Sequence, residues 1–200
     1  MTFNFAQKNR NMRILKFIVT FILLMGSVSN SLAQVSSGRL KDKVAIVTGA
    51  ASGNGKAIAV LFANEGAKVI LADINGIEVR KIADTLQQNQ SDVIPVEVDV
   101  TREDDVQRMI NSALGRFGRI DILVNNAGLM KRVPMIEMSH TDFLRVIDVH
   151  VGGAFNCSKA VLPDMIAKRE GKISRVCFST QQSGRLLLRR RGRQRAGRRL

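Results

Sequence analysis

"KVAIVTGAASGNGKAIAVLFANEG" occupies Lys43–Gly66, and its reading decides the fold. The first seven residues, KVAIVTG, form a short run rich in β-branched side chains that ends on glycine, the pattern of a buried strand. From Gly55 the spacing changes: Ile58, Leu61 and Phe62 recur at helical intervals, and Gly66 suits a helix C-terminus. Between strand and helix lies TGAASGNG, residues 48–55, with glycines at 49, 53 and 55. Such a turn brings bare backbone N–H groups against an anion, and the positive end of the following helix favours a pyrophosphate there.

Outward from this unit the alternation continues. AKVILAD (67–73) reads as strand, IEVRKIADTLQQN (77–89) as amphipathic helix, and DVIPVEVDV (92–100) as a strand whose Pro95 predicts an edge position. REDDVQRMINSALGRFG (102–118) is helical with acids in its first turn, and IDILVNNAG (120–128) is strand then turn. A long helix is expected over 139–169, started by Ser139 or Thr141, and a fifth strand over 171–179. Strict alternation predicts an α/β fold, a doubly wound parallel sheet ordered 3-2-1-4-5 with helices on both faces. Asp73 closes the second strand, twenty residues beyond Gly53, where a carboxylate accepts from a ribose 2′-OH and repels a 2′-phosphate. That favours NAD over NADP.

The two ends differ from this middle. Of a formal net charge of +14, residues 1–33 supply four basic side chains and residues 185–200 supply eight arginines, neither segment holding an acid. The remainder has an ordinary globular balance, so the basicity is no argument about the folded part and no specific nucleic-acid partner is expected. Residues 1–33 have the layout of a secretory signal peptide: a basic start, an apolar run from Phe17 to Met25, and Ser31-Leu32-Ala33 before a cleavage point. An uncleaved anchor and an over-extended start are the alternatives; the first two export the chain, the last leaves it cytoplasmic. Cys157 and Cys177 make neither a disulfide framework nor a metal site and read as small buried hydrophobes.

TGAASGNG, DVT (99–101), NNAG (125–128) and FLRVIDVHVGGAFNCSKAVLPDMI (143–166) together resemble the short-chain dehydrogenase/reductase family, Rossmann-fold oxidoreductases that use NAD(P). The resemblance covers about Gly38 to Ser183, which sets a domain at 38–183 between the leader and an arginine-rich tail at 184–200. It implies a cofactor cradle of Gly49, Ser52, Gly53, Asn54, Gly55, Asp73, Asp99, Val100, Asn126, Ala127 and Gly128, with Asn54 replacing a usual isoleucine. It also implies hydride transfer on an alcohol or ketone, and homo-oligomers paired through the long helix 139–169.

The same resemblance breaks at the catalytic positions. The family's helix asparagine falls at His150, and its serine at Thr180, with Ser179 as the other register. Its tyrosine and lysine would fall at Arg193 and Gly197. Arginine stays protonated and glycine has no side chain, and the sequence contains no tyrosine at all. A positioned general acid contributes about 10²–10⁴ in rate. The chain therefore reads as a family member cut short before its last strands and impaired in catalysis, the alternatives being a dinucleotide-binding pseudoenzyme or a frameshifted fragment. The tail, RLLLRRRGRQRAGRRL, reads as out-of-frame translation, a functionless solvated tail or a basic arm.

Overall fold

The computed structural model describes Gly38–Val176. The leader, Cys177, Ser179, Thr180 and the tail lie outside the described residues. Within them, β1 (Val44–Thr48), α1 (Gly53–Asn64), β2 (Lys68–Asp73), α2 (Gly76–Gln88), β3 (Val93–Glu97), α3 (Glu103–Phe117) and β4 (Ile122–Asn125) alternate as the periodicity requires. A 3₁₀ turn (Met135–Glu137) precedes α4 (His140–Ile147), a π-helical turn (Asp148–Gly152), α5 (Gly153–Lys168) and β5 (Lys172–Arg175). The expected long helix is thus one rod in three parts, capped by the Ser139 hydroxyl, which accepts from the Asp142 N–H at 3.0 Å.

All four strand pairs are parallel, in the order β3-β2-β1-β4-β5. The central strands are apolar on both sides because helices cover both faces. One core joins Val44, Ile46 and Ile70 to Val106, Met109 and Ile110 of α3 and to Cys157, Val161 and Met165 of α5. The other joins Val47, Val69 and Leu71 to Ala59 and Ala63 of α1 and Val79, Ile82 and Leu86 of α2. Ile46, Ile70 and Leu71 are fully buried, and burying such a side chain stabilises by about 1.5–3 kcal/mol. Small residues on α1 let that helix lie close to the sheet, which aims its first turn at the end of β1.

The two described edges carry edge-strand features. β3 holds Pro95, which donates no ladder bond, and β5 presents Lys172 and Arg175 from a strand exposed at every residue. At the opposite end of the sheet, the buried Asp121 carboxylate accepts from the Val44 N–H (2.9 Å) and the Arg119 guanidinium (Nε, 2.9 Å). Burial pushes this carboxyl up, but Arg119 and the Val44 N–H outweigh it and hold it below the usual range. This pair locks β1 against β4 at the end remote from the turn.

Candidate dinucleotide-binding site

Order 3-2-1-4-5 places the topological switch between β1 and β4, and ligands of such sheets bind beyond the carboxyl ends of the strands there. The turn of residues 48–55 sits at that point. Gly49 (φ +68°) and Gly53 (φ +54°) occupy the left-handed region that favours glycine. Gly55 is required for a different reason: a Cβ there would lie 2.0 Å from the Gly49 carbonyl oxygen and 2.4 Å from Asn126 Nδ2. Ser52 has extended backbone as the N-cap of α1, and its hydroxyl makes no cap bond. The first-turn N–H groups have no intrahelical acceptor, so Ser52, Gly53 and Asn54, all exposed, face the cleft as an anion site. That arrangement fits a pyrophosphate.

Asp73 stands at the end of β2. Its Oδ2 accepts from the Ala51 N–H (3.0 Å) and its Oδ1 from the Asn75 N–H (2.9 Å). Asp73 thus braces the glycine turn as well as facing the cleft, and each oxygen keeps a further lone pair. Asp99 follows β3. Its Oδ1 accepts from the Thr101 hydroxyl (2.8 Å) and N–H (3.0 Å), and its own N–H meets Asp105 Oδ2 at 3.3 Å. Val100 is buried. Asp73, Asp99, Val100, Gly49, Ala127 and Gly128 line one cleft of about 400 Å³. Arg145 and Asp148 on the rod close its far wall, and Arg145 is the one basic side chain among the described residues that line it.

The NNAG segment is built around Thr48. The Thr48 hydroxyl accepts from the N–H groups of Asn126 (3.0 Å) and Ala127 (3.0 Å) and donates to the Val124 carbonyl (3.3 Å). Asn126 Nδ2 donates back to the carbonyls of Thr48 (3.0 Å) and Gly49 (3.2 Å). Asn125 Nδ2 donates to Ser158 (3.1 Å), and the Oδ1 atoms of Asn125 and Asn126 are buried without a partner among the described residues.

His150 lies in the π turn. Its Nε2 lies 2.9 Å from the Leu129 carbonyl oxygen and 3.2 Å from the Leu129 backbone nitrogen, and the ring presses on Gly128, where a Cβ would sit 2.4 Å from Cε1. Arg175 of β5 donates to the His150 carbonyl at 3.2 Å. A π turn is a common feature of functional sites because it re-aims side chains out of the α-helical pattern. Here it brings His150 into a second part of the cleft, about 440 Å³, with Gly49, Ser52, Gly53, Asn126 and Met130.

All eleven expected cradle residues therefore meet along one cleft or in the turn that shapes it, and His150 joins them. Thr48 bridges the two turns, Arg145 lines the cleft, and Asn156 of α5 donates to the Val100 carbonyl. Thr48 was visible as the first letter of TGAASGNG, whereas nothing in the local pattern of α4 or α5 marks Arg145 or Asn156. Among the described residues, no group of three or more His, Cys, Asp or Glu could hold a metal ion.

Comparison with known proteins decides the family. The short chain dehydrogenase family model matches residues 43–185. The chain belongs to the short-chain dehydrogenase family. Over 138 residues it is 39% identical to the 3-oxoacyl-(acyl-carrier-protein) reductase FabG of Thermotoga maritima, covering 69% of this chain and 56% of that one. It is 43% identical over 136 residues to the oxidoreductase UcpA of Escherichia coli, covering 68% and 51%. A solved 7α-hydroxysteroid dehydrogenase, in complex with NADH and 7-oxo glycochenodeoxycholic acid, superposes with a TM-score of 0.66 at 35% identity, covering 70% and 55%. This short-chain dehydrogenase thus spans about half the length of the relatives it matches.

Proposed function

We propose that this chain binds a nicotinamide adenine dinucleotide across the carboxyl ends of β2, β1 and β4, with NAD preferred to NADP. The observation that carries the reading is the convergence of three independent fits on one cleft. They are the Gly49–Gly55 turn with its open first helical turn, the Asp73 carboxylate, and the Asp99–Val100 segment. Gly53 and the Ser52 hydroxyl would hold the pyrophosphate, Asp73 the adenosine ribose, and Asp99 and Val100 the adenine. The bound group supplies or accepts the hydride of an oxidoreductase. Asp73 sets the preference, since a carboxylate accepts from a 2′-OH and repels a 2′-phosphate.

In the relatives the substrate class is an alcohol or ketone, in keeping with names such as 3-oxoacyl reductase and hydroxysteroid dehydrogenase. His150, with Ser179 or Thr180, would occupy the catalytic positions. The second reading is favoured by one fact: the 200 residues contain no tyrosine. For this polypeptide, binding without turnover is the expected behaviour. The test is NADH formation with a panel of secondary alcohols beside an NADH titration. Saturable binding with turnover at the blank rate supports the reading; an enzyme-like rate removes the impairment, and no binding removes the cradle.

We also propose self-association through the rod. Phe143, Ile147, Val151, Phe155, Leu162 and Ile166 form an exposed apolar stripe along it. Light scattering should report a dimer or larger, shifted to monomer by Phe155→Glu.

A further inference from the structure

The rod α4–π–α5 touches the cleft at three levels. His150 meets the turn after β4, while Gly153 and Asn156 meet the segment after β3. Gly153 and Asn156 are three residues apart, hence on one side of α5. A Cβ at Gly153 would lie 2.5 Å from Val100 Cγ2, so the absent side chain is what lets Val100 pack there. Asn156 Nδ2 donates to the Val100 carbonyl at 3.0 Å and lies 3.4 Å from the Thr101 carbonyl. Two carbonyl oxygens before the amide require its nitrogen to face them.

The segment that receives these contacts is otherwise held from the opposite side and from within. The Val98 N–H donates to the Asp73 carbonyl (2.9 Å), and the Arg102 N–H to the Asp99 carbonyl (3.0 Å). Those bonds, with the Asp99–Thr101 and Asp99–Asp105 contacts, fix its start and its own curl. None of them ties Val100, which lines the cleft, to the rod. From α5, Asn156 holds the Val100 carbonyl and Gly153 lies against the Val100 side chain.

We propose that Asn156 is a positioning residue for the adenine end of the dinucleotide: by holding the Val100 carbonyl against α5 it fixes the Val100 wall of the base pocket. The proposal rests on the dinucleotide reading above. It separates the two halves of the ligand, because the nicotinamide end lies toward His150 and Asn126, where Asn156 makes no contact.

The test uses the 200-residue chain, with AMP and nicotinamide mononucleotide displacing NADH in a fluorescence titration. Asn156→Leu removes the donor and should weaken NADH and AMP by roughly tenfold, with nicotinamide mononucleotide changed less than about twofold. Gly153→Ala, which pushes on Val100 from the same helix, should give the same split and serves if N156L folds poorly. Asn156→Asp supplies a readout that general loosening would not move. Its carboxylate cannot donate to the Val100 carbonyl but the single O–H of its protonated form can, so AMP affinity relative to the unsubstituted chain should partly recover as the pH is lowered from neutral. Equal loss of both half-ligands, or unchanged AMP affinity in N156L and G153A, would overturn the proposal while leaving dinucleotide binding in place. Absence of NADH binding by the unsubstituted chain would overturn both.

Discussion

The Oγ1 of Thr48 lies 3.0 Å from the backbone nitrogen of Asn126 and 3.0 Å from that of Ala127. One hydroxyl at the end of β1 thus fixes the start of the turn after β4, and with it the gap across the topological switch. Thr48→Val keeps the shape and leaves two N–H groups without their acceptor. Each buried orphan costs about 1–3 kcal/mol. Urea unfolding should show a loss in that range or above it for T48V, most of it recovered in Thr48→Ser; an unchanged midpoint for T48V would remove Thr48 from its bridging place.

Asp73 braces the Ala51 and Asn75 N–H groups and faces the cleft, where we propose it meets the ribose. Asp73→Ala should weaken NAD by about tenfold or more, the scale of a hydrogen bond to a charged group, and narrow or invert the preference over NADP. Calorimetric titration with both dinucleotides reads this directly. An unchanged NAD-to-NADP ratio would mean that the carboxylate serves the turn alone.

Arg145 is the cation on a wall otherwise lined with Asp73, Asp99 and Asp148. A dinucleotide brings two phosphate charges and an aromatic base to that wall, and a guanidinium complements both. Arg145→Ala should lower dinucleotide affinity several-fold, with a weaker salt dependence than the unsubstituted chain. Its unfolding midpoint should not move, since the side chain is exposed.

Acid lability should centre on Asp121. Burial raises this carboxyl, Arg119 and the Val44 N–H lower it further, and the net position is below the ordinary carboxylate value. A group whose folded pKa is depressed contributes its full stability above the unfolded value, about 3.9 for Asp, and loses it as the pH falls through the folded value. Stability against urea should therefore fall steeply below about pH 4. Asp121→Asn should be less stable at neutral pH and show a shallower acid limb; a parallel acid limb would place the proton uptake elsewhere.

The sheet was legible from Lys43 onward because its signals are local: β-branched runs, helical spacing and glycine at most of the reversals. Pro95 marked β3 as an edge, and the structure puts it there. The residues that line the cleft were legible for the same reason, since TGAASGNG and NNAG are contiguous. What escaped was long-range or cryptic. A π turn adds no residue pattern to DVHVG, so 139–169 reads as uninterrupted helix. The Thr48–Ala127 and Asn156–Val100 bonds join residues 79 and 56 positions apart, and no spacing rule foretells them. Asp73 illustrates the middle case: its place at a strand end was plain, its bond to Ala51 was not.

The most direct measurement is an NADH fluorescence titration of the 200-residue chain beside its Gly55→Ala variant, whose added Cβ would collide with the Gly49 carbonyl and the Asn126 amide. A cradle formed as described predicts saturable binding by the unsubstituted chain, displaced by AMP, and none measurable in G55A. No binding by the first, or equal binding by both, would contradict it.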